Sequence, residues 1–169
     1  MLAQALVLVA LPLLLAAAAG WDIASFTIPN FLQVALLTGF AVFAAVARLD
    51  VSAIGMHLLA GLIGLLLGFS LFALGYVGGG DAKLFAAVLL WLGVSDLMSF
   101  ALAASLLGGA LTLAIVMLRR LPLPQILARQ AWILRLHDEK AGIPYGVALA
   151  AGALIILPGT DIFRLAAIG

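Results

Sequence analysis

Six runs of apolar residues, at about 2–20, 31–47, 56–76, 78–94, 97–118 and 143–158, take up most of this chain, and only short polar connections separate them. A helix needs roughly 20 apolar residues to cross the hydrocarbon core of a bilayer. The runs therefore predict an all-α fold, a polytopic membrane helical bundle with about six transmembrane helices. The expected organisation is one membrane-embedded unit over 1–169, with no separate soluble domain. Composition points the same way: of 169 residues, 67% are hydrophobic and only 9% are charged, which excludes an ordinary soluble domain. The stretch from Met1 to Gly20 lacks the positive start of a signal peptide and is too long for its apolar centre, so it is expected to be the first retained span.

Several chemistries are excluded early. The chain holds no cysteine, so disulfides, thiolate nucleophiles and cysteine zinc sites drop out. His57 and His137 alone leave little for a transition metal, and no metal or cofactor is expected. A net charge of +1 argues against a nucleic-acid surface, which needs clustered Lys and Arg.

The charges that remain give the topology. The connection from Arg119 to Gly142 carries Arg119, Arg120, Arg129, Arg135 and Lys140, five of the eight Lys and Arg residues. By the positive-inside rule it faces the cytoplasm. Alternate crossings then put the first and third connections, with Asp22 and Asp81, on the same side. His57 falls on the opposite side. Gly61, Gly64 and Gly68 form a small-residue pattern that suits close helix packing in lipid.

Acidic residues are few enough to weigh one by one, since an aspartate at a helix centre in lipid costs about 2.5–3.5 kcal/mol. Asp138 and Glu139 lie in the basic connection, and Asp50, Asp96 and Asp161 in short turns where capping is the ordinary role. Asp22 closes the first apolar run and precedes Ile28-Pro29-Asn30. Proline suits a helix start and holds the preceding residue extended, so this turn sets where the second helix begins. Asp81 follows Gly78, Gly79 and Gly80, whose missing side chains leave room for unusual dihedrals and for a close-lying peptide; an irregular, flexible backbone is expected there. Taken singly, Asp81 reads as a helix N-cap and Asp22 as a headgroup-solvated residue. Taken together on one face, two carboxylates can share a proton and divide acid and base roles. Lys83, two residues on, is either a cation beside that pair or an interfacial lysine.

The pairing of Asp22 and Ile28-Pro29-Asn30 with a GxGD string at Gly78 to Asp81 resembles the type IV prepilin peptidase family. The continuation DAKL and the string IPYGVALAAG from Ile143 to Gly152 resemble its small branch that serves Tad or Flp pili. The resemblance implies a membrane aspartyl endopeptidase. It would cleave the basic leader of prepilin or pseudopilin precursors at the cytoplasmic face of a bacterial or archaeal cytoplasmic membrane. Asp22 and Asp81 would be the catalytic residues, with Gly78, Gly79, Gly80, Pro29, Asn30 and Lys83 forming the loop or contacting substrate. It also implies no cofactor. Larger relatives add N-methylation and a cysteine-rich zinc region; with no cysteine here, peptidase activity without methyltransferase activity is expected. Two departures stand out: neutral residues between Asp22 and Ile28, where relatives often carry basic ones, and Gly79 where they often carry a bulky one.

Two other classes fit the residues alone. A proton-coupled transporter or channel would use membrane carboxylates as a relay. A scaffold subunit of a pilus or secretion machine would use them only as caps. Membrane lipid is the other partner expected, at the basic connection.

Overall fold

A computed structural model describes residues 1–168, with side chains through Ala167. Every regular element among them is helical: α1 (Leu2–Ser25), α2 (Asn30–Val46), α3 (Val51–Ala73), α4 (Gly79–Leu92), α5 (Leu97–Arg119), α6 (Ala131–His137), α7 (Tyr145–Ile156) and α8 (Asp161–Ile168). Of these, α1, α3 and α5 are long and apolar enough to cross a membrane singly. Helices α7 and α8 reach that length only as a pair bent by 58°, and α2 is a shorter apolar helix of 17 residues. Helix α4 has 14 residues, and its second half is buried almost all round. The outward faces are apolar, with Leu66, Phe69, Leu106 and Leu113 all exposed. Such a surface has lipid as its solvent, and the chain is a multi-pass membrane protein.

Local chemistry explains the irregular places. Pro12 has no N–H and its ring crowds the carbonyl four residues back, at Leu8. The helix widens into a π-turn over Leu6–Ala10, just where that carbonyl lies. At its far end α1 runs past the expected limit near residue 20 and stops at Phe26, whose φ of 55° turns the chain out of the helix. Thr27 and Ile28 follow outside any helix, and Pro29, at φ −60° and ψ 142°, caps α2. Helix α3 starts at Val51 rather than 56 because Asp50 Oδ1 accepts the Ala53 N–H at 2.6 Å, an ordinary N-cap.

The closest packing in the bundle is between α3 and α4. A Cβ on Gly64 would lie 2.8 Å from Leu89 Cδ1 and 3.0 Å from Ala86 Cα; one on Gly68 would lie 2.9 Å from the Ala82 carbonyl oxygen. Together with Gly61, these residues let the two helices nearly touch along their backbones, the packing role their spacing predicts. On the other side of α4, Trp91 is 1% exposed and donates its Nε1–H to the Leu36 carbonyl at 2.9 Å. It wedges α4 against α2 beside Phe40 and Phe43.

The basic connection is folded rather than loose. Arg119 donates Nε–H to the Leu136 carbonyl at 2.8 Å and Nη2–H to those of Ala141 and Gly142, each at 3.0 Å. Arg135 reaches the carbonyl of Ser25 at 3.0 Å, a cation at the negative end of α1. His137 is half-buried, with Nδ1 shielded and without a partner among the described residues. At this end of the bundle the last turn of α1 meets the first turn of α7, and Asp22 shares a cleft with the first turn of α4.

Candidate active site

Asp22 does not sit in the connection after α1, as expected, but in the last full turn of the helix, 3% exposed. Its Oδ2 accepts the backbone N–H of Gly146, in the first turn of α7, at 2.7 Å. The N–H groups of a first turn have no partner inside their own helix, and the helix dipole favours negative charge there. A side chain at position 146 would put its Cβ 2.8 Å from Asp22 Oδ2 and 2.8 Å from Ile28 Cδ1. A side chain there would push the carboxylate or Ile28 aside, so glycine at 146 lets the aspartate reach the helix end unhindered.

Asp81 is the third residue of α4, not its N-cap, and the backbone before it is regular. Gly79 and Gly80 are already helical, Gly78 is extended at φ −72° and ψ 152°, and none of the three has positive φ. The irregular segment expected here is absent because Asp81 Oδ2 accepts the Gly78 N–H at 3.3 Å and ties off the first turn. What the glycines supply is close approach. A Cβ on Gly80 would meet Ile28 N and Cβ at 3.3 Å, and one on Gly79 would meet the Phe72 ring at 3.4 Å. The other oxygen, Asp81 Oδ1, is buried without a hydrogen-bond partner among the described residues.

The two carboxyl groups belong to one cleft of about 260 Å³, whose walls include Ile28, Asn30, Gly78, Gly79, Gly80 and Lys83. They are near enough for the charge of Asp81 to be felt at Asp22. Lys83 lines the same cleft, but its Nζ donates to Asn30 Oδ1 at 3.0 Å, and among the described residues it forms no ion pair with either aspartate. Pro29 sets the start of α2 and thereby the place of Asn30. A pair like this offers, in one space, an acceptor for a water proton and, on a protonated partner, a donor for an oxygen that gains charge. Among the described residues no three His, Cys, Asp or Glu side chains converge as a metal-binding group would.

The contacts of three contributors were not read from the sequence. Gly146 lies in IPYGVALAAG, a string recognised as a whole without a role for any one position. Ile28 fills the space between Gly80 and Gly146. Gln33, 6% exposed, donates Nε2–H to the Gly80 carbonyl at 3.4 Å and so ties α2 to the first turn of α4. Only the position of Gln33, one helical turn after Pro29, could have marked it. The remaining acidic side chains are elsewhere; Asp161 pairs with Arg164 at 3.5 Å in α8.

The family model described as the type IV leader peptidase family matches residues 9–113, a stretch that contains both aspartates and the cleft glycines. No curated protein and no solved structure matches the chain.

Proposed function

Because this chain belongs to the type IV leader peptidase family, we propose that it is an aspartyl endopeptidase that removes the basic leader from pilin-like precursors, with Asp22 and Asp81 as the catalytic pair. The observation that carries the proposal is the shared cleft. Two helix ends distant in sequence deliver one carboxyl group each to the same space, which Gly78, Gly79 and Gly80 also line. In the proposed reaction an ionised carboxylate takes a proton from water as its oxygen attacks the scissile carbonyl. The protonated partner hydrogen-bonds the developing oxyanion, and the carboxyl that took the water proton passes it to the amide nitrogen, which leaves as an amine as the C–N bond breaks. No metal enters this scheme, and no cofactor.

The proposed membrane arrangement has α1 to α5 and α7 as six crossings, with the carboxylates at the cytoplasmic face. It is supported by Arg119 and Arg135, whose connection packs at the same end of the bundle as Asp22. The DAKL and IPYGVALAAG strings support Tad or Flp pilin precursors as substrates. The zinc region of the bifunctional relatives needs cysteines that this sequence does not have, so the proposal covers proteolysis alone.

The test is processing of a co-expressed pilin precursor in membranes. Asp22→Asn and Asp81→Asn are each expected to slow cleavage by about 10²–10⁴-fold, the usual worth of a positioned acid or base, at unchanged protein level. Full processing by both variants would reject the reading.

A further inference from the structure

Beside the carboxylate cleft lies a larger groove of about 520 Å³, bounded by α3, α4, α5 and the start of α7. Helices α3 and α5 are not packed against one another across it. Its wall on α5 consists of Ala101, Ala104, Ser105, Gly108 and Gly109, at spacings that fall on one helical face. Such a stripe usually lies under a partner helix, since small residues let backbones approach in lipid. Here part of it is uncovered: Ser105 and Gly109 are exposed, and a Cβ built on Gly109 would meet nothing within 4 Å.

The groove is continuous with the cleft through Asp81, which lines both. Asp81 is 9% exposed, and its Oδ1 is the buried acceptor that no described residue satisfies. An acyl chain in the groove would offer the Asp81 carboxylate at its edge no hydrogen-bond donor. The start of a peptide helix would, because its first four N–H groups have no partner of their own. Size agrees as well: a helix about 10–12 Å across with a 5.4 Å pitch occupies about 400–600 Å³ per turn.

We infer that this groove receives the first turn of the substrate's apolar helix, the segment just after the scissile bond, and so sets the bond against the carboxylates. The inference rests on the leader-peptidase reading and adds to it a specificity surface on α5. Substrate choice would then depend on residues that touch no reacting atom: bulk on the α5 face would weaken precursor binding, while the chemistry at Asp22 and Asp81 continued.

The experiment uses the full chain in membranes with a pilin precursor that has a basic leader and an apolar helix. Ser105→Trp and Gly109→Leu, which fill the groove, are expected to raise KM about tenfold or more with kcat changed less than about twofold. Leu106→Trp, on the neighbouring lipid-facing position, is expected to leave both unchanged. A photo-crosslinking residue at Ser105 in the Asp22→Asn background is expected to capture the precursor through the first residues of its apolar segment. That capture is independent of turnover and of any folding defect in the bulky variants. Unchanged KM in both groove variants, or crosslinks to lipid alone, would overturn the inference. If cleavage still depends on the aspartates in that case, the leader-peptidase reading stands without it. Full processing by both aspartate variants would instead remove the reading on which the inference rests.

Discussion

The α3–α4 interface and the α5 wall of the groove are built from the same kinds of residue and end in opposite states. On α3, a methyl group added at Gly64 would come within 2.8 Å of Leu89 Cδ1 and 3.0 Å of Ala86 Cα. On α5, a methyl group added at Gly109 would reach nothing within 4 Å. One stripe is closed by a helix of the same chain, and the other is left open beside a buried carboxylate. Glycine spacing alone thus marks a place where a helix can approach, without saying whose helix it is.

Substitutions along the two stripes test this contrast, and the largest effect is expected at Gly68→Leu. There the obstacle is backbone, the Ala82 carbonyl oxygen at 2.9 Å and Ala82 Cα at 3.0 Å, so α4 must move and carry the adjacent Asp81 with it. Precursor processing should fall about 10²-fold, the cost of misplacing a reacting group by an ångström, together with a lower level of folded protein. Gly64→Ala adds one methyl group against Leu89 and Ala86. A loss of about 1–3 kcal/mol is expected, measured as a lower thermal midpoint in detergent. At Gly61→Ala the first contact is Leu90 Cβ at 3.2 Å, milder crowding than at Gly64 because no atom comes within 3.0 Å; a loss under about 1 kcal/mol should be seen in the same melt. Gly109→Ala should leave stability unchanged or raise it by up to about 1 kcal/mol, the helix propensity difference, in the same melt. An equal loss at Gly64 and Gly109 would break the distinction between a closed and an open stripe.

Much of the carboxylate site was legible before any coordinates. Asp22 and Asp81 could be placed on one face because two apolar runs separate them and each crossing changes side. Their local setting was misread in both cases, and for a common reason. A carboxylate in an apolar chain looks like the end of a helix, since water or a cap is its cheapest partner in sequence terms. Here the partners are the Gly146 N–H for Asp22 and the Gly78 N–H for Asp81, so both aspartates can lie within helices. The triple glycine signalled a special backbone, yet its dihedrals are ordinary. What it accommodates is Ile28 and Phe72 pressed against it, contacts that no local pattern reveals. Gly146 was the least accessible of all, because its role depends on a residue 124 positions earlier.

The sequence by itself determined the solvent, the helical class and the side of the membrane its few charges favour. These follow from hydropathy and charge, which each residue carries irrespective of its neighbours. It also determined which carboxylates could form a pair. Only the tertiary structure decided that α7 presents its first N–H groups to that pair, that Lys83 turns to Asn30, and that one glycine stripe is sealed while the other is open. Those outcomes depend on distances of about 3 Å between segments far apart in the chain, and such distances are set by how whole helices pack.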